Sequence, residues 1–170
     1  MKQSGWLILA FLTATASAVH IIESLIMSML PVPFIRVGLS NIVVLYLVME
    51  RQIAPAFVVA FAKSVLGGIA TFSLLSPMLP LSLGGGLFAV SMMSLGLVIR
   101  PRFSIFGISV LGALAHNAAQ LILVRLLLIH NDSLFVLTPI LILFALLSGL
   151  VTAYICVYLK ERIPGLKATI

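Results

Sequence analysis

Long apolar runs recur along the whole chain, and each is bounded by a charged residue, a proline or a glycine. About 20 consecutive apolar residues allow an α-helix to cross the hydrocarbon core of a membrane. With 62% hydrophobic and only 8% charged residues, a soluble domain of 170 residues could not cover its surface with polar groups. The pattern predicts an all-α, polytopic membrane protein that forms one integral membrane domain.

We predict six spans from the limits of these runs. The second is short, and we expect it to begin as irregular chain around Pro31 and Pro33, which membrane depth tolerates only where protein or water surrounds it. The loops are short and no domain boundary is visible between residues 1 and 170. The predicted spans are roughly 5–28, 37–49, 53–75, 79–99, 103–129 and 133–159.

The basic residues predict the orientation, because lysines and arginines next to short loops are retained on the cytoplasmic side. In a six-span arrangement only Arg36 falls on the outer side, so both termini are expected on the cytoplasmic side of the plasma membrane. The net charge of +6 then reflects topology and contact with anionic lipid, and no nucleic-acid-reading motif accompanies it. The residues on the inner side are Lys2, Arg51, Arg100, Arg102, Lys160, Arg162 and Lys167.

The N-terminus has two interpretations. Lys2, the apolar stretch from Trp6 and the small residues of 14–18 resemble a signal peptide with a cleavage site. The apolar pattern continues through Met27, however, which favours a first helix that is retained. The single cysteine, Cys156, excludes an internal disulfide and is expected to be a packed apolar side chain.

The first helix is expected to have two different faces. At 100° per residue, an alanine stripe lies on one side, and His20, Glu23 and Ser24 lie on nearly the opposite side. Small residues four apart let another helix approach closely, either within this bundle or from a partner protein. The alanines of the stripe are Ala10, Ala14 and Ala18.

Polar side chains inside the spans are the candidate ligand-binding site, because an unsatisfied polar group in hydrocarbon costs several kcal/mol. We expect them to converge on the outer half, with three positive charges against one negative, so an anionic ligand would fit. Other interpretations remain open: snorkelling of Lys63 and Arg125, and hydrogen bonds between helices for His116, Asn117 and Gln120. The candidates are Glu23, Arg36, Asn41, Lys63, His116, Asn117, Gln120 and Arg125.

Signatures of catalysis are missing from the sequence. The carboxylates are not clustered, since this chain has Asp132 and three widely separated glutamates, so no site that holds Mg²⁺ against a diphosphate is predicted. The histidines lack metal-ligand spacing, and the glycine run 84–86 lacks the Gly-Lys-Ser/Thr of a phosphate loop, so it predicts a bend or a close helix contact. We expect neither catalysis nor a cofactor.

Several segments together resemble one family. Ile22-Glu23-Ser24, the Pro31/Pro33 stretch, residues 36–42, Ser82 to Gly86, and residues 103–107 running into 112–120 resemble the Gx transporter family, also known as heptaprenyl diphosphate synthase component I. That family is similar to the substrate-binding S components of energy-coupling factor (ECF) vitamin transporters, which are six-helix proteins that hold a ligand near the outer face.

The resemblance implies a partner as well as a ligand. In S components an Ala-xxx-Ala motif on the first helix contacts a transmembrane coupling subunit, and Ala14 and Ala18 match it. Arg36 and Ser40 depart from the family pattern, in which Lys and Ala are expected. Energy from ATP would come from separate ATPases, since this chain has no nucleotide motif.

We therefore expect an S-component-like subunit that binds a small, partly apolar anionic molecule. Flavin-like, quinone-related and isoprenoid-precursor molecules all fit this description. The alternative is a non-catalytic membrane subunit of heptaprenyl diphosphate or menaquinone-precursor synthesis, whose partner would be a soluble prenyl synthase.

Overall fold

The computed structural model describes residues 3–28, 38–99, 103–128 and 132–162. The described part of the chain is all-helical, without a β-strand, which confirms the predicted fold class. The elements are α1 (Gln3–Ser28), α2 (Asn41–Met49), α3 (Ile53–Ala70), α4 (Met78–Ile99), α5 (Ile105–Leu127), a 3-10 helix (Asp132–Leu137) and α6 (Thr138–Arg162).

Five of these helices are long and apolar enough to cross a membrane, so the chain is a membrane protein. The exception is α2, whose nine residues rise about 13.5 Å against a hydrocarbon core of about 30 Å. The predicted irregular start of the second span, around Pro31 and Pro33, lies outside the described residues. Six spans thus remain a prediction. The five candidate spans are Gly5–Ile26, Ile53–Ala70, Met78–Ile99, Ile105–Leu127 and Phe135–Arg162.

Two predicted span boundaries differ most from the helix boundaries, each for a local reason. The third span was predicted to reach residue 75, but α3 ends at Ala70 because the chain turns through Phe72, whose φ of 53° is left-handed. The sixth was predicted to begin at residue 133, but a 3-10 helix occupies Asp132–Leu137. The helix α6 begins with Thr138 and Pro139. Proline is tolerated in the first turn of a helix, because the N–H groups of that turn have no acceptor within the helix.

The short helix α2 lies at the centre of the bundle. It contacts all five long helices, which pack in the order α1, α3, α4, α5, α6. Its residues from Val44 to Val48 are all buried, so α2 has no solvent- or lipid-facing stripe there. A helix that is apolar on every side is stable only when neighbours cover all of it.

Contacts between the helices define two ends of the bundle. The carboxylate of Glu50, after α2, pairs with the ammonium of Lys160, near the end of α6. Arg51 and Arg162 lie there as well, so we call this end of the bundle the basic end. The opposite end, which holds the connection between α3 and α4, is called the far end. The described helices alternate in direction, so the start of α1 and the end of α6 lie at the basic end. Its cytoplasmic location remains a prediction.

Gly149→Ala is expected to lower the free energy of unfolding by about 1 kcal/mol or more, because added bulk must separate two packed backbones. A Cβ at Gly149 would lie 2.8 Å from Val110 Cα and 3.1 Å from its backbone nitrogen. The same contact includes a hydrogen bond of 2.7 Å from the Ser109 hydroxyl to the Gly149 carbonyl. Thermal unfolding in detergent measures the change.

Gly86→Ala is the matched control, since the nearest atom to a Cβ there is 3.8 Å away. Alanine favours a helix over glycine, so Gly86→Ala should be neutral or stabilising. Equal destabilisation by both substitutions would show that the loss is not specific to the α5–α6 contact.

Candidate functional site

The two faces of α1 have different surroundings. His20 and Glu23 are buried, with exposed fractions of 7% and 6%, and face the bundle interior. Ala10, Ala14 and Ala18 are exposed. The alanine stripe therefore does not pack within the described bundle, and its surface is open to lipid or to another protein.

A chain of hydrogen bonds crosses the interior from α1 to α3. The Nε2 of His20 lies 3.3 Å from the Ser82 hydroxyl, which donates to the Ser64 hydroxyl at 3.1 Å. Ser64 in turn donates to the Ala60 carbonyl at 3.1 Å. The His20 ring fits only because residue 67 is glycine, since a Cβ there would lie 2.5 Å from the ring. The three helices α1, α3 and α4 thus share one polar contact.

Lys63 lies beside this chain and is 3% exposed. Its ammonium donates to the Ser40 hydroxyl at 3.0 Å and to the Asn41 side-chain carbonyl at 2.5 Å. Both acceptors lie at the start of α2, so Lys63 fixes where that helix begins. Charge-assisted hydrogen bonds of this kind are among the stronger ones in proteins.

Glu23 holds the same segment from the other side. Its carboxylate accepts a hydrogen bond from the Gly38 backbone N–H. The φ of Gly38 is 74°, a left-handed value that favours glycine. Three of the candidate residues therefore meet around the first turn of α2: Glu23, Asn41 and Lys63.

The candidates on α5 divide between two neighbours. His116 lies against α4, where a Cβ at Gly85 would be 2.9–3.0 Å from three atoms of its ring. Gln120 follows one turn later on the same face and is buried. Asn117 instead donates to the Leu141 carbonyl of α6 at 3.0 Å, so its amide links two helices.

The glycine run 84–86 lies within α4, which is continuous from Met78 to Ile99. It forms close helix contacts, as predicted, and neither starts nor breaks the helix. Gly84 lies against Leu123, and Gly85 against the His116 ring.

Of the two candidate arginines, only Arg125 is described, and it is not part of this interior cluster. Arg125 was predicted to be buried or half-buried, but it is exposed at the far end, with its guanidinium 5.8 Å from the centre of the Phe135 ring. The reason is its place in the last turn of α5, from which a long side chain extends away from the bundle interior. Arg36 lies outside the described residues. The predicted excess of positive charge therefore depends on these two arginines, since Lys63 and Glu23 balance each other.

Serines and one histidine that were not among the candidates prove to be central to the cluster. Ser40, Ser64, Ser82 and His20 supply most of its hydrogen bonds. The only sequence signal was the position of His20 on the polar face of α1; single serines in apolar helices give none. We use polar interior for the whole set: His20, Glu23, Ser40, Asn41, Lys63, Ser64, Ser82, His116 and Gln120.

The polar interior offers groups for binding. It combines imidazole, hydroxyl, amide, carboxylate and ammonium groups in an apolar bundle, all of which can hydrogen-bond the polar part of a ligand. Within the described ranges no three His, Cys, Asp or Glu side chains are grouped as metal ligands.

Comparison with known proteins gives a family. No curated protein and no solved structure matches the chain. The model of one family, described as heptaprenyl diphosphate synthase component I, matches residues 12–159, a range that includes the whole polar interior. This match confirms the resemblance to that family, whereas the similarity to S components stays a prediction. The chain belongs to the heptaprenyl diphosphate synthase component I family.

Proposed function

We propose that this protein is a non-catalytic, S-component-like transport subunit of the plasma membrane that binds a small, partly apolar anionic molecule. The observation that carries the proposal is the polar interior, to which helices α1 to α5 all contribute side chains in an otherwise apolar bundle. Buried polar groups are costly in hydrocarbon, and inside membrane bundles they usually mark a ligand or ion path.

The charges of Lys63 and Glu23 balance within the polar interior, so the ligand class rests on direct contact of an anion with Lys63 and on Arg125 nearby. Lys63 supplies a buried positive charge, and His116 and Gln120 lie one turn apart on α5. Arg125, at the surface of the same end, would attract an anion toward the entrance. Apolar helix faces around these groups would hold a ring system or a prenyl chain, so flavin-like, quinone-related and isoprenoid-precursor molecules remain the candidate ligands.

The acidic residues support a non-catalytic role. Elongation of a prenyl diphosphate needs clustered carboxylates for Mg²⁺. In the described bundle Glu23 is near the far end, whereas Glu50 and Glu161 are at the basic end. Any such reaction would take place on a partner.

The exposed alanine stripe supports a partner in the membrane. Ala14→Leu or Ala18→Leu should abolish association with a transmembrane coupling subunit, because the added bulk separates two helices at their contact. Both side chains are exposed, so the isolated protein should unfold at an unchanged temperature. Co-purification and thermal unfolding measure the two effects.

Thr15→Leu is the matched control for Ala14→Leu, because Thr15 is also exposed but lies about 100° around α1 from Ala14. It does not serve for Ala18→Leu, since Thr15 and Ala18 are only about 60° apart. Loss of association with this variant too would point to a general effect of bulk on α1. Unaltered association with the alanine variants would remove the stripe from the proposal.

A second candidate function is favoured by the family match. The description heptaprenyl diphosphate synthase component I implies a synthase with a further component. In that case this chain would be its membrane subunit, and the polar interior would hold a polyprenyl or menaquinone precursor for a soluble synthase.

Native mass spectrometry of the gently solubilised protein tests both functions. A bound anion together with a coupling subunit and ATPases supports the transport subunit. A soluble synthase without a coupling subunit supports the second function. Protein that carries neither an anionic molecule nor a membrane partner, even from cells that express it at native level, would contradict the transport proposal.

A further inference from the structure

The connection between α3 and α4, residues 71–77, is the most exposed apolar part of the described chain. Phe72 is 97% exposed and Leu75 is 104% exposed, so their side chains project away from the bundle. We call this segment the α3–α4 turn. A large aromatic residue with a left-handed φ is unusual, and here the φ of 53° at Phe72 directs the ring outward.

Charge is missing from the whole region around the turn. Residues 64–99 contain no Asp, Glu, Lys, Arg or His. Loops that lie in water outside a membrane normally carry polar or charged side chains. The exposed residues of this turn are all apolar: Phe72, Leu74, Leu75 and Pro77. The composition fits lipid better than water.

Most N–H and O–H groups of the turn are bonded within the turn or to the end of α3. The Thr71 hydroxyl donates to the Gly67 carbonyl and lies 2.8 Å from the Ser73 hydroxyl. The Ser76 hydroxyl donates to the Ser73 carbonyl and accepts from the Met78 N–H. Backbone bonds from 71, 72, 73, 76 and 79 satisfy further N–H groups. Such internal bonding is what a segment needs when little water is present.

Helix lengths place the turn at membrane depth. From Ile53 at the basic end, the 18 residues of α3 rise about 27 Å, less than a hydrocarbon core of about 30 Å. The neighbouring helix gives an independent comparison. His20 of α1 lies against Gly67 of α3, and α1 continues about two turns further to Ser28, whereas α3 ends within one turn at Ala70.

We propose that the α3–α4 turn lies at the boundary between headgroups and hydrocarbon in the leaflet opposite Arg51 and Lys160, with Phe72 and Leu75 inserted among lipid acyl chains. The lack of charge, the internally bonded polar groups and the short α3 all favour lipid as its occupant. Insertion of the α3–α4 turn into lipid does not involve a ligand, so it is tested separately from the proposed function.

Tryptophan fluorescence in lipid vesicles tests the proposal. Trp6, the only native tryptophan, is replaced by Phe, and Phe72→Trp and Leu75→Trp are made singly in that background. Both should be quenched by phosphatidylcholine brominated on its acyl chains and shielded from iodide. Leu75→Trp serves as a second probe in case the strained position 72 does not accept Trp.

Two further variants calibrate the signal. Phe61→Trp, exposed in the middle of α3, gives the response of a deep lipid-facing position, and Glu161→Trp, exposed near the end of α6, gives that of a water-facing one. Iodide quenching at 72 and 75 as strong as at 161, without quenching by brominated lipid, would overturn the proposal. Protection from both quenchers would also overturn it, because a protein surface would then cover the turn.

Discussion

Asn41→Leu is expected to lower the free energy of unfolding by about 3 kcal/mol, a larger loss than that expected for Gly149→Ala. The Lys63 ammonium is 3% exposed and donates to the Asn41 side-chain carbonyl at 2.5 Å. Leucine keeps the volume but removes the acceptor. A buried charge that loses a partner costs more than the hydrogen bond itself contributed, because it cannot recover hydration.

A double-mutant cycle separates this effect from a change in packing. Lys63→Met alone leaves two neutral acceptors without this donor and should cost less, about 1–2 kcal/mol. Combined with Asn41→Leu it removes the charge that made the first substitution costly, so the double variant should be more stable than Asn41→Leu alone. Thermal unfolding in detergent gives all four values. Additive losses in the free energy of unfolding would show that the cost of burying the Lys63 charge does not depend on Asn41.

The helices and the two faces of α1 could be predicted because both follow from local periodicity. An apolar run long enough to span a membrane forms a helix whatever its neighbours are, since every backbone group is then bonded internally. A fixed 100° between successive residues was likewise enough to separate Ala14 from Glu23, and the structure places the first at the surface and the second inside.

The polar interior could be predicted only in part, because its hydrogen bonds join residues far apart in sequence. Lys63 was a candidate since a charge within a span is rare, but its acceptor Ser40 is 23 residues away. Serines give no comparable signal, because in membrane helices they often bond their own backbone, as Ser64 does to Ala60. That Ser64 also accepts from Ser82 depends on how α3 and α4 pack.

Arg125 shows why burial inside a predicted span is uncertain near its end. Arg125 lies within the predicted span and also within α5, but α5 ends at Leu127, so Arg125 falls in its last turn. A long side chain there reaches the surface and contacts Phe135. The sequence pattern therefore predicts the span, but not whether a long charged side chain in its last turn faces the interior.

The remaining prediction concerns the ligand. Lys63→Met should weaken the binding of an anionic ligand by about 1.5–3 kcal/mol, the contribution of a charge-assisted hydrogen bond, and Gln120→Leu by about 0.5–1.5 kcal/mol. Arg125→Met should have a smaller effect than Lys63→Met, because an exposed charge is screened. Farnesyl diphosphate and flavin mononucleotide are suitable probes, and calorimetry on the detergent-solubilised protein gives the affinities.

Farnesol is the matched control ligand, since it keeps the prenyl chain of farnesyl diphosphate and lacks its charge. If Lys63 acts through charge, Lys63→Met should reduce the preference for the diphosphate over the alcohol, whereas Gln120→Leu should leave that preference nearly unchanged. Lys63 also bonds Ser40 and Asn41 at the start of α2, so Lys63→Met leaves both acceptors without this donor. The comparison of the two ligands is therefore repeated with the double variant Lys63→Met/Asn41→Leu, in which one of these acceptors is also removed. Equal loss of affinity for both ligands would mean that Lys63 only supports the fold, and an unchanged affinity of every variant for every probe would place the ligand site outside the polar interior.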